Sequence, residues 1–158
     1  MAHLRQQAGI FGVGSAQGVD GLGWAALDYL RTALSGHPAV EGIRWHVSRT
    51  PADMLPHWDG LHQVILLDAL PAAEMNVSLR WVTPQELQAA GTLSSHGLGI
   101  RETVELAAML GLRPRLSILG LVTNPAAACD PADWLARHGA ALARAVTGRL
   151  SSARPGPD

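Results

Sequence analysis

The chain has 158 residues, 47% of them hydrophobic and 16% charged, with 12 basic side chains against 13 acidic ones and a formal net charge of -1. All the basic residues are Arg, and a near-neutral balance offers no electrostatic footprint for nucleic acid or an anionic membrane. The longest apolar run, Val64 to Leu70, falls far short of the roughly 20 residues that span a bilayer, and the opening MAHLRQQAG lacks a secretory signal's apolar core. The lone Cys129 rules out an internal disulfide or a thiolate cluster within one chain. These features suggest one compact cytoplasmic domain over residues 1–150, with no organic cofactor, nucleic acid or membrane insertion, followed by a polar Pro/Gly-rich tail over 151–158 expected to be disordered.

Gln7 to Gly14 (QAGIFGVG) is apolar and ends in glycines, the pattern of a buried strand entering a tight turn. From Leu22 the spacing of Leu27, Leu30 and Leu34 predicts a helix that stops at Gly36-His37-Pro38. Ile43 to Arg49 alternates as a second strand. Thr50-Pro51-Ala52-Asp53 then sets a hydroxyl at the N-cap, proline at the first helical position and a carboxylate at N3. The same punctuation recurs at Thr83-Pro84-Gln85-Glu86 and at Asp130-Pro131-Ala132-Asp133, and it signals helix starts without chemistry.

The runs His62 to Leu70, closed by Asp68, and Arg115 to Thr123 are continuously apolar, as suits strands covered on both faces. Val77 to Thr83 alternates and reads as an edge. Helical spacing over Gly97 to Leu110 and an Ala-rich stretch from Pro131 to Leu150 complete the alternation of strand and helix. The expected architecture is three-layer α/β/α, doubly wound, with a mostly parallel, twisted sheet of about five strands.

In such a sheet ligands bind outside the carboxyl ends of the strands, where strand order reverses. The turn Gly12-Val13-Gly14-Ser15-Ala16-Gln17-Gly18 has GxGxxxG spacing, and no acid ends the second strand to read a ribose, which argues against a dinucleotide. Asp20 is expected in the first turn of the helix, as a capping carboxylate or a ligand. Asp68, at the end of an apolar strand, requires a compensating partner, structural or bound. His96, before or within the first turn of the next helix, sits where imidazolium is disfavoured, so its neutral ring is available as ligand or base, or serves only as a surface residue. Two carboxylates and an imidazole gathered at one sheet edge suit a divalent transition metal with open positions.

GVGSAQGVDGLGW resembles the GIGSPFGDDxLGW signature of the hydrogenase maturation proteases, VILLDAL their strand ending in Asp-Ala, and SSHGLG their Ser-x-His-x-x-Gly loop. The three motifs fit in order and spacing from about Gly9 to Leu150. The resemblance implies an endopeptidase that removes a C-terminal peptide from the precursor of the [NiFe]-hydrogenase large subunit once that precursor holds nickel. It implies Asp20, Asp68 and His96 as the residues that meet the nickel, which the precursor supplies, and Gly18 and Gly97 as substrate contacts; Arg49, by its charge, is expected to favour an acidic substrate group. Either the metal polarises the scissile carbonyl or Asp20 or Asp68 activates water. Ser15 lacks a readable His-acid pair to make it a nucleophile.

The chain departs from the family pattern at Val19, where the first acid of the Asp-Asp pair is usual, at Ala16-Gln17, and at Val47-Ser48-Arg49, where relatives carry Asp-Gly-Gly. These changes keep a second reading open, a non-catalytic nickel-sensing or chaperone-like module on the same scaffold. Cys129 lies outside the motifs and is expected to be a buried small residue.

Overall fold

The computed structural model describes residues 7–14, 21–72, 76–89 and 95–152; the side chains at 87–89 and 95–98 are outside that description. Strands β1 (Ala8–Val13), β2 (Arg44–Ser48), β3 (Gln63–Pro71), β4 (Leu79–Val82) and β5 (Arg115–Thr123) form one sheet in the order β2-β1-β3-β5-β4. All neighbours are parallel except β4, which runs antiparallel to β5 at the edge. Helices α1 (Leu22–Ala33), α2 (Pro84–Ala89), α3 (Ser95–Met109) and α4 (Pro131–Ser152) supply the outer layers.

Side chains alternate across the sheet into two separate cores. Ile10, Ile65, Leu67, Leu119 and Leu121 face α1 and α4, where Leu27, Leu30, Leu142 and Val146 meet them. Phe11, Val13, Val64, Leu66 and Ile118 face the other way, toward Ile100 and Ala107 of α3 and Met54, Leu55 and Trp58. The last three come from the segment between β2 and β3, whose Pro51–His57 stretch is a 3-10 helix. A reciprocal capping box between Thr50 and Asp53 starts it, and Pro56 inside it removes a backbone donor. The Thr-Pro punctuation therefore marks a helix start as expected, with tighter winding than an α-helix. Thr83 Oγ1 accepts from the Glu86 amide ahead of α2, and Asp130 Oδ1 accepts from the Ala132 amide ahead of α4.

Two boundaries and one placement differ from expectation. β3 does not end at Asp68: β5 continues to pair with it as far as Pro71 opposite Thr123, so the strand outruns β1 by several residues. α1 starts at Leu22, as its spacing predicts, with Gly21 as its cap, and its first turn holds no acid, so it does not include Asp20 as expected. α4 continues to Ser152, two residues into the segment expected to be disordered; residues 153–158 lie outside the described set.

Candidate functional site at the carboxyl edge of the sheet

From β1 the chain proceeds to β2 on one side, while β3 lies on the other, so the order reverses between β1 and β3. That is the crevice where an open α/β sheet receives a ligand. Two glycines shape it. A Cβ on Gly12 would stand 2.5 Å from the carbonyl oxygen of Gly23, and a Cβ on Gly23 would stand 2.3 Å from the Val13 carbonyl oxygen and 2.9 Å from that of Leu67. The first turn of α1 is thus pressed directly onto the end of β1 and onto β3 at Leu67. The glycines answer to helix–strand contact, which explains their poor match to phosphate-binding spacing.

The turn is tied to β2 as well. The Ser48 carbonyl accepts from the Gly14 amide at 3.0 Å and from the Trp24 indole at 3.1 Å. Gly14 and Trp24 bracket the segment that carries Ser15, Gly18 and Asp20; those three residues lie outside the described set.

Asp68 stands one residue beyond the last β1–β3 pair, Gly12 with Leu67, so it emerges where β1 leaves the sheet. It is 7% exposed and engaged with its surroundings, as burial of a carboxylate requires. By alternation it shares the face of Leu66 and Leu70, the one that α3 covers. Opposite it on β5 is Gly120. On the other side, Val13 occupies the same row and pairs with Ser48 of β2. Ser48 is 2% exposed and its hydroxyl has no hydrogen-bond partner. Neighbouring strands are about 4.8 Å apart, so this unused hydroxyl lies about 10 Å from Asp68 along one row.

His96 falls in the first turn of α3, and Gly97 follows it there. Because α3 leads back to the start of β5, its N-terminus lies at the carboxyl edge. Further support comes from Gly99, where a Cβ would stand 3.2 Å from the Pro51 ring, just past the end of β2. The backbone therefore brings the turn bearing His96 to the same edge and face as Asp68. The His96 side chain lies outside the description. Among the described residues no group of three His, Cys, Asp or Glu side chains could hold a metal. Arg49, immediately after β2, is exposed at this edge.

Two side chains outside the three motifs share an environment. His46 of β2 and His57 stack with ring centroids 3.8 Å apart, and Phe11 meets His46 edge-on at 5.9 Å. Burial foremost, then His57, lowers the His46 pKa from its ordinary value, and Asp53 partly opposes them. Arg44 fastens the same corner by donating to the carbonyls of Asp59 and His57. The pair is eleven residues apart across a strand-to-helix connection, so no ligand-like spacing could have marked it.

Cys129 is half-buried rather than buried, in the wall of a cavity of about 300 Å³ between the end of β5 and the start of α4. Burial first, then Asp130 and Asp133, raise its thiol pKa.

The sequence matches no family model and no curated protein. The fold, however, is that of the hydrogenase maturation endopeptidases. The chain is similar in structure to the hydrogenase maturating endopeptidase HybD from E. coli (TM-score 0.69, 15% identity, 92% of this chain and 93% of that one). It is also similar to a [NiFe] hydrogenase maturation protease, HycI from Thermococcus kodakarensis KOD1 (TM-score 0.64, 18% identity, 92% and 93%). The endopeptidase HycI from Escherichia coli has a TM-score of 0.56 at 15% identity, over 92% and 90%.

Proposed function

We propose that the protein is an endopeptidase of [NiFe]-hydrogenase maturation, acting on the precursor of the large subunit and removing its C-terminal peptide after nickel is in place. What supports this reading is that the described parts of the three sequence motifs lie at one crevice. Packing of Gly12 against Gly23 holds the two ends of the first motif where β1 leaves the sheet beside β3. Asp68 rises from β3 at that point, and the first turn of α3 brings His96 to the same edge. The similarity in fold to HybD and HycI over almost the whole chain agrees with it.

In this reading nickel is part of the substrate. Asp20, Asp68 and His96 supply two carboxylates and an imidazole, a set that borderline divalent ions accept, and the precursor completes the coordination. Binding through the metal fixes the scissile segment over the crevice, and fixing a reactant in place accounts for dependence on nickel. Attack by water is assisted by a carboxylate acting as base or by polarisation of the carbonyl at the metal. Gly18 and Gly97 allow close approach of the peptide, and Arg49 meets an acidic group beside it. Among the described residues no helix is long and apolar enough to cross a membrane, which is compatible with action in the cytoplasm, where the precursor would be met.

Incubation with nickel-loaded and nickel-free precursor tests the proposal. A C-terminal peptide should be lost only from the loaded form. Binding of the loaded form without cleavage would instead favour a nickel-sensing, chaperone-like role, for which the departures at Val19 and Val47-Ser48-Arg49 leave room.

A further inference from the structure

β2 borders the sheet: β1 pairs with it on one side, and no strand of the sheet follows on the other. Along a strand the backbone N–H and C=O of one residue point to the same side, and those of the next residue to the opposite side. The Ser48 carbonyl turns toward β1, where it accepts from the Gly14 amide. Ser48 and His46 therefore direct their backbone groups into the sheet, and Trp45 and Val47 direct theirs out of it. Among the described residues no hydrogen bond from a turn or loop reaches the backbone of Trp45 or Val47.

Open edges attract further strands, and folded proteins usually blunt them with charge, proline or a bulge. The outer edge of β2 is not blunted in this way. Arg44, at its start, is occupied with the carbonyls of His57 and Asp59 and with the Gln7 side chain. Trp45 to Ser48 include no Arg, Asp, Glu or Pro, and β1 matches β2 residue for residue from Gly9 with Arg44 to Val13 with Ser48, without a bulge. Val47 is 45% exposed. Two positions on, just beyond the strand, Arg49 is exposed and forms no ion pair among the described residues. Open backbone groups, an apolar side chain and an unmatched cation thus follow one another toward the carboxyl edge. The same end of β2 is fastened to the two ends of the first motif, through Gly14 and Trp24, so this edge is continuous with the crevice.

We propose that the outer edge of β2 receives the substrate peptide as an added strand, paired with the backbone of Trp45 and Val47, with an apolar side chain against Val47 and a carboxylate two positions away on Arg49. In this mode main-chain hydrogen bonds supply affinity and alternate side chains supply specificity. The added strand lies three strand spacings, about 14 Å, from β3, and an extended chain covers that distance in about four residues. The docked segment therefore stands about four residues from the peptide bond held over Asp68. A second copy of the chain is the poorer occupant. Arg44 to Thr50 contains two arginines and no acid, so pairing β2 with itself leaves Arg49 unmatched and adds like charge. The proposal rests on the endopeptidase reading for its substrate, and adds a docking strand outside the metal-binding crevice.

Short fluorescein-labelled peptides of Ser and Thr, carrying Val and, two positions before or after it, Glu or Gln, test it by anisotropy with the full-length protein at low salt. In one of the two orders the Glu peptide should bind about threefold more tightly than its Gln counterpart. N-methylation walked along that peptide should weaken binding about fivefold at every second residue and little in between, because only alternate amides face β2. Val47→Pro removes an outward N–H, a change that edge strands tolerate, so it should keep the parent circular dichroism and weaken the Glu peptide about fivefold. Arg49→Glu leaves the strand untouched and should transfer the preference to a Lys peptide. Equal binding of Glu and Gln peptides in both orders, or N-methylation effects without alternation, overturns the added strand. So does sedimentation as a dimer that Val47→Pro dissolves, which gives the edge to a second copy. Cleavage of nickel-loaded precursor is scored in parallel. Cleavage with a KM unchanged in both variants removes the docking strand alone; alternating peptide binding without cleavage removes the endopeptidase reading and upholds the edge as a peptide site.

Discussion

Gly23→Ala adds one methyl group at the place where α1 meets the sheet. In an ordinary helix this exchange stabilises by up to about 1 kcal/mol, because glycine pays the larger backbone entropy. Here the new carbon would lie 2.3 Å from the Val13 carbonyl oxygen and 2.9 Å from that of Leu67. Comfortable carbon–oxygen contact begins near 3.3 Å, so α1 must retreat by about 1 Å. Neither oxygen can step aside, since both belong to strand backbone. A gap of that size forfeits a quarter to a half of each dispersion contact it opens, and it opens them beneath Leu22, Ala26, Leu27 and Leu30, all buried. Overpacking of this kind costs about 1–3 kcal/mol. With the propensity gain set against it, a net loss of about 1–2 kcal/mol is expected. For a chain of this length that lowers Tm by about 2–8 °C. Gly148→Ala is the internal control: it is exposed within α4 and a Cβ there meets nothing within 4 Å, so Tm should rise by about 2–4 °C. Thermal melts followed by circular dichroism compare the two variants with the parent. If Gly23→Ala melts at or above the parent while Gly148→Ala is stabilised, the close-contact account of the glycine motif is wrong.

Asp68→Asn, similar in shape but uncharged, should lower precursor processing by about 100-fold or more, the range for losing a catalytic base, with a Tm near that of the parent; unchanged nickel-dependent processing would make Asp68 purely structural. Asp20→Ala and His96→Ala should each abolish processing in folded protein, and normal processing by both would remove the site assignment. Ser48→Ala discards a buried hydroxyl that has no partner, so urea unfolding should show equal or higher stability, by up to about 1 kcal/mol; a clear loss would reveal a partner. His46 has a lowered pKa in the folded protein, so below about pH 6.5 the unfolded chain takes up the proton more readily. Stability is therefore retained above that pH and declines as pH falls toward the native value. Urea midpoints between pH 5 and 8 should show this decline, and it should be smaller in His46→Gln.

The strand positions and most helix starts were legible in the sequence because each depends on local pattern. Continuous apolar runs gave β3 and β5, and alternation placed β4 at an edge, where it is found antiparallel. Boundaries set by a distant neighbour were not legible. Pro71 remains in β3 because Thr123, more than fifty residues away, pairs with it. The start of α1 at Leu22, by contrast, agrees with the helical spacing read from that residue. Asp68 and His96 could be singled out by type and position. Their common edge follows from chain direction and strand order, which the alternation of elements implies but the residues themselves do not state. The stack of His46 on His57 and the unpartnered Ser48 hydroxyl are products of packing alone.

The contact between Gly12 and Gly23 also separates what a motif detects from what it does. The two glycines act as a mechanical joint between sheet and helix, and the joint would be required whether or not an acid follows Val19. A relative that lost its carboxylates, and with them its chemistry, would still need both glycines to fold. Searches weighted toward the glycines therefore gather proteins of one shape, and under the proposed function it is the acids and the histidine that would distinguish working proteases among them.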